Sequence, residues 1–256
     1  MRHFAEDQAK LLPSSIKDVQ ARRHFRIPVG PPLALGLLQM PVGMAYNLVM
    51  AITTDFQSTT YTSCHAFNIF PTTSAAAKSQ HKVWALVCWL EFPFLIANAW
   101  LLIRFYRRNL PRPVRSFGCL MAIVMAVSSF SMLLWGNFAQ EDGDSLLHIA
   151  IALSLFASCA IYMAGSFVCA KYYMSESSGL MHEELSLRLK SGLVLTYYMW
   201  VVIMWIFYFL HQKFCFPLGE FISCECFFIY LSTAYFDFYH VYICYDQRLG
   251  FFLSEL

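Results

Sequence analysis

The chain has 256 residues, 58% hydrophobic, 17% aromatic and only 13% charged, with a formal net charge of +2. A soluble domain carries about a quarter charged residues, so the polar material needed to cover a globule is missing and an all-α, multi-pass membrane protein is expected. The small net charge excludes a nucleic-acid binder, and the apolar bias excludes a disordered chain.

Residues 1–30 carry Arg2, Lys10, Lys17, Arg22, Arg23 and Arg26 and no short apolar core ending in small residues, so a cleaved secretory signal is not expected. Six long apolar stretches follow, at about 33–53, 83–103, 117–135, 146–169, 192–210 and 221–243. Each is close to the ~20 residues of a membrane-spanning helix. Barrel strands would instead alternate in segments about half as long.

Orientation follows from the basic residues. Fifteen of the eighteen Lys and Arg lie before the first span, in 104–115, in 171–190 or after the sixth; the other side holds Lys78, Lys82 and Lys213. The positive-inside bias places both termini in the cytosol. With no visible repeat or linker, residues 1–256 read as a single six-helix membrane domain, with 1–30 a cytosolic segment and 55–82 the main lumenal loop. The C-terminal Leu253-Ser254-Glu255-Leu256 is neither a prenylation box nor a retention signal.

Most of the nine cysteines fall inside spans; Cys88, Cys119, Cys159, Cys169 and Cys244 read as small packing residues. Cys64 and Cys215 fall in lumenal loops, where a disulfide between them would tie the loop after the first span to the one before the sixth. Two free, partly buried thiols are the alternative. Loops as long as 55–82 without evident structure tend to carry function. No Asn-X-Ser/Thr sequon occurs.

Ionisable groups inside a span are costly and each raises a functional question. Glu91 is expected about 12 Å below the lumenal end of the second span and Glu225 about 6 Å into the sixth. Either carboxylate could serve as a general acid or base in a pocket open to the lumenal leaflet. The alternatives are hydrogen bonding to neighbouring helices for both and contact with headgroups for Glu225. Asp237 and His240, three apart near the cytosolic end, read as a polar pair on one helix face, either a proton relay or a structural contact. His65, His81 and His211 are too scattered for metal-ligand spacing, and no metal site is expected. No phosphate loop, nucleophile elbow or His-Glu-X-X-His motif is present.

The loop Thr62-X-Cys64-X-X-X-Asn68-X-X-Pro71-X-X-Ser74-X-Ala76 resembles the signature of the post-GPI attachment to proteins factor 2 family, within the wider group of damage-regulated autophagy modulators. Tyr208-Phe209, His211-X-X-X-Cys215, the His240-X5-Asp246 spacing and His148 match in order and place. The resemblance implies fatty-acid remodelling of glycosylphosphatidylinositol (GPI) anchors in Golgi or endoplasmic reticulum membranes. It also implies that Cys64 and Cys215 occupy family positions, and that Cys64, Asn68, Pro71 and Ser74 form a lumenal-loop motif. The expected substrate is a GPI-anchor or other membrane lipid; no cofactor is expected, an acyl donor of unassigned identity is the possible co-reactant, and a membrane protein is a possible partner. Catalytic candidates are Glu91, Glu225 and His211. The chain departs from the family where Glu91 and Pro93-Phe94 replace His and Pro-Arg, where Ser128 or Ser129 replaces Glu, and where Ile229-Tyr230 replaces Glu-Tyr. A non-catalytic scaffold is the second reading and a small transporter the third.

Overall fold

The chain is described by a computed structural model over residues 25–60, 68–138, 146–176, 181–210, 215–246 and 250–255. Strand β1 (Phe25–Pro28) leads into a helix of two pieces, α1 (Gly30–Leu37) and α2 (Gln39–Thr54). Pro41 accounts for the break: it has no N–H for the Leu37 carbonyl, and its ring crowds that carbonyl. Two short helices follow, α3 (Phe56–Thr60) and α4 (Thr73–Ser79). Thr72 caps α4, its Oγ1 accepting the Ala75 N–H at 3.0 Å.

Long helices α5 (His81–Asn109), α6 (Arg112–Asn137), α7 (Leu146–Glu176) and α8 (Met181–Phe209) come next, then α9 (Cys215–Ser232) and α10 (Ala234–Asp237). Among the described residues, five helical stretches are long and apolar enough to cross a membrane: Gly30–Thr54, His81–Asn109, Arg112–Asn137, Leu146–Ser175 and Met181–Phe207. They coincide with the first five expected spans.

Helices α5, α6 and α7 pack in succession, α9 packs along α8, and the broken α1–α2 helix sits against α5 and α9. Lipid tails are as apolar as the helices, so close backbone approach and packing must hold such a bundle. Gly36 and Gly43 supply that approach: a Cβ on Gly36 would lie 2.2 Å from the Phe94 ring, and one on Gly43 2.8 Å from Val87. Between α5 and α6, Trp84 and Trp135 meet edge to face with centroids 5.1 Å apart, a preferred aromatic geometry.

The sixth expected span is corrected. Helix α9 starts earlier than 221 and stops at Ser232, where the Thr233 hydroxyl bonds the Tyr230 carbonyl at 2.7 Å. Beyond α10 the chain forms β2 (Val241–Asp246) and β3 (Gly250–Glu255), which opens on Gly250 at φ 69°, a conformation that favours glycine. The three strands form one antiparallel sheet in the order β1-β2-β3, with Ile27 opposite Ile243 and Ile243 opposite Leu253. Asp237 and His240 therefore lie outside a spanning helix, and Cys244 is a buried strand residue. An uncharged run does not distinguish helix from strand; the alternating β-branched and aromatic residues of Val241–Tyr245 are the feature that does.

Candidate functional site

The sheet joins the approach to α1 with the exit from α9 and α10, and so marks one end of the bundle. The opposite end is where α2 finishes, α5 and α7 begin, and α9 begins. There the residues that follow the loop motif's Asn68 acquire partners. The Asn68 N–H bonds the Thr60 carbonyl at 3.0 Å, drawing the two flanks of 61–67 together. Helix α4 then settles on its small residues, Ala76 at 4% and Ala77 at 1% exposure, against α2 and its neighbours.

Two consecutive hydroxyls of α4 reach two different long helices. Thr73 donates to the Glu220 carboxylate on α9. Ser74 Oγ lies 3.1 Å from His148 Nε2 in the first turn of α7. Thr73, His148 and Glu220 are buried, while Ser74 is half-buried and remains reachable. Polar capacity is left over at this end: among the described residues, Glu220 Oε2, Asn68 Oδ1, and the fully buried Ser223 Oγ one turn beyond Glu220 have no hydrogen-bond partner. Unsatisfied buried atoms are rare in folded proteins and call for an explanation such as an absent ligand.

The other sequence candidates fall elsewhere. Glu91 is 0% exposed in mid-bundle, and neither of its oxygens meets hydrogen-bond geometry with any group. The helix that carries it, α5, packs against both α1 and α2. Glu225 is half-buried on α9. Asn68, Pro71 and Ser74 of the loop motif are in the far-end cluster. Cys64, His211 and the side chain of Cys215 lie outside the described residues, and with them the proposed disulfide.

Near the sheet, a cavity of about 60 Å3 is lined by Tyr162, Ser166, Ser186, Lys190, Tyr230 and Asp237 among others. Asp237 does not pair with His240 as the sequence spacing implied. It accepts from Lys190 Nζ at 2.5 Å and from Ser186 Oγ at 2.7 Å, both on α8. His240 instead belongs to an aromatic group in which His182 stacks on Tyr239 at 4.3 Å. Lys190, a loop cation by sequence, is 7% exposed. Tyr230 OH lies 2.8 Å from Ser166 Oγ, closing the cavity wall.

Sequence reading missed Glu220 because the sixth span was started at Phe221, six residues after α9 begins at Cys215. The signal was present: Glu220 is the one charge between Lys213 and Glu225, in a largely apolar run that extends back to Phe214.

A bundle of membrane-length helices defines a multi-pass membrane protein, here with a polar cluster at one end. Residues 30–241 match the family described as the Frag1/DRAM/Sfk1/Cwh43P N-terminal domain, and the chain belongs to that family. It is also similar to Post-GPI attachment to proteins factor 2 of Drosophila melanogaster, 28% identical over 246 residues that cover 90% of this chain and 94% of the relative. The same protein of Drosophila pseudoobscura pseudoobscura gives the same identity and coverage. No solved structure matches the chain.

Proposed function

We propose that this protein acts in GPI-anchor maturation by supporting remodelling of the anchor's fatty chains, in a Golgi or endoplasmic reticulum membrane. The observation that carries the reading is the near full-length similarity to a post-GPI attachment factor, with two residues of the resemblance, Ser74 of the loop motif and His148, in contact. In this reading α9 is the sixth crossing, its eighteen residues spanning about 27 Å at 1.5 Å per residue. Pairing of β1 with β2 supports an even number of crossings, because strands on either side of the spans share one sheet. The basic residues then make the sheet end cytosolic. The far-end cluster faces the lumenal leaflet, where GPI lipids reside.

The test is deletion of the gene followed by mass spectrometry of anchor lipids. Altered anchor fatty acids and less GPI-anchored protein at the cell surface are expected, both restored by the full chain. Unchanged anchor lipids would overturn the proposal. The scaffold reading is favoured by the enclosure of Glu91, which leaves that carboxylate no open face. It requires Glu91→Gln and Glu225→Gln to leave anchor lipids unchanged, and also every substitution in the far-end cluster that preserves folding.

A further inference from the structure

We propose that Ser74 and His148 form an acyl-transfer centre, with Ser74 the nucleophile and His148 its general base. The inference rests on the lipid-remodelling reading above and assigns chemistry to the same mouth of the bundle. The geometry is that of an activated hydroxyl: serine Oγ and a histidine ring nitrogen 3.1 Å apart, within the reach at which an imidazole takes the hydroxyl proton as the oxygen attacks. The two groups come from different elements whose positions are independently fixed. Thr72 caps α4, Ala76 and Ala77 bury its underside, and Thr73 ties it to Glu220 on α9. His148 is held in the first turn of a 31-residue helix.

Burial distinguishes the two partners in the way the chemistry needs. His148 is 7% exposed, while Ser74 is only half-buried, so a lipid ester can approach the hydroxyl from the membrane interface. The unpartnered Glu220 Oε2, 6% exposed and attached through Thr73 to the residue beside the nucleophile, leaves a buried acceptor for a substrate hydroxyl. Neither Glu91 nor Glu225 is required, which removes the difficulty that Glu91 has no open face.

The substrates are two lipids of one leaflet, a glycerophospholipid as acyl donor and a lyso-GPI as acceptor. Ser74 Oγ attacks the donor's acyl carbonyl as His148 Nε2 takes the serine proton. The ester bond to the donor glycerol breaks, His148 returns the proton to the departing oxygen, and a lysophospholipid leaves an acyl-Ser74. The lyso-GPI hydroxyl then attacks that ester, its proton passes through His148 to Ser74 Oγ, and the remodelled anchor departs. Two transesterifications balance with no water, oxidant or reductant consumed.

The experiment uses the full chain purified into nanodiscs containing phosphatidylcholine with radiolabelled acyl chains, and lysophosphatidylinositol as the acceptor probe. Without acceptor, the protein is expected to carry an alkali-labile label that peptide mass spectrometry locates at Ser74. Adding acceptor discharges the label into phosphatidylinositol. S74A abolishes labelling, S74C converts it to a linkage cleaved by neutral hydroxylamine, and H148Q slows labelling by about 10²- to 10⁴-fold, the range of general acid–base catalysis. A merely structural hydrogen bond predicts none of these. Folding is checked by the thermal unfolding of S74A and S74C. If folded S74A restores anchor fatty acids in deleted cells, the acyl-transfer centre is refuted while the remodelling role stands. If the wild-type chain fails to restore them, the remodelling role itself falls. Acceptor acylation by a wild-type protein that never carries a label at Ser74 also refutes the nucleophile.

Discussion

The two ends of the bundle hold their charged groups differently. Near the sheet, a buried cation meets a half-buried anion: Lys190 and Asp237 pair at 2.5 Å, with Ser186 adding a second donor to the carboxylate. At the far end the groups are hydroxyls, an imidazole and a carboxylate, and several atoms remain without hydrogen bonds, including Glu220 Oε2 and Ser223 Oγ. Buried charge with its partners in place holds helices in register; buried polar atoms without partners cost stability and persist where function requires them. The same chain therefore uses polar residues as a clasp between α8 and α10 at one end and as unfinished chemistry at the other.

The largest effect is expected at the clasp. Asp237→Ala leaves Lys190 buried without a counter-charge, a loss of about 3–5 kcal/mol when a buried pair is broken from one side. Thermal unfolding of the purified protein should show it as a lower midpoint, and the double variant Asp237→Ala with Lys190→Met should recover most of it. Activity per folded molecule should be unchanged in both. A single variant as stable as wild type would remove the distinction between the ends.

A smaller stability effect with a larger functional one is expected for Glu220. Glu220→Ala removes the acceptor of the Thr73 hydroxyl, a cost of about 1–3 kcal/mol for a buried donor left unpaired. Glu220→Gln keeps an acceptor oxygen and should lose less. Limited proteolysis between α2 and α5 reports the loosening of α4, and anchor-lipid analysis reports function. Loss of remodelling greater than the loss of folded protein supports a working mouth. Loss strictly proportional to folded protein would make Glu220 a second clasp.

How much of this was legible follows from what a linear pattern encodes. Five spans were readable because length and apolarity alone define them. The loop motif was readable as a spacing, but its meaning was not, since Ser74 meets a histidine 74 positions away and Thr73 a glutamate 147 positions away. Lys190 looked like a loop cation because its counter-charge lies 47 residues further on, beyond α9. The sheet was hidden for a different reason. Residues 241–245 are as free of charge as a span, and only their alternation and the distant Phe25–Pro28 partner make them a strand. Glu91 stood out correctly as a carboxylate within a span, yet depth in the sequence says nothing about access.

The smallest expected effect lies at Glu91, between the two ends. Among the described residues, neither of its oxygens has a hydrogen-bond partner. Glu91→Gln exchanges one unpartnered polar group for another of the same shape, so the stability change should be about 1 kcal/mol or less. Cys88, one turn earlier on α5, is equally buried, so no solvent path is opened by the change. If anchor remodelling is preserved in Glu91→Gln and lost in a folded Ser74→Ala, the working groups belong to the far-end mouth. The opposite pattern would move the chemistry to mid-bundle. Because neither substitution changes side-chain volume by more than an atom, the pair separates position from packing more cleanly than larger deletions would.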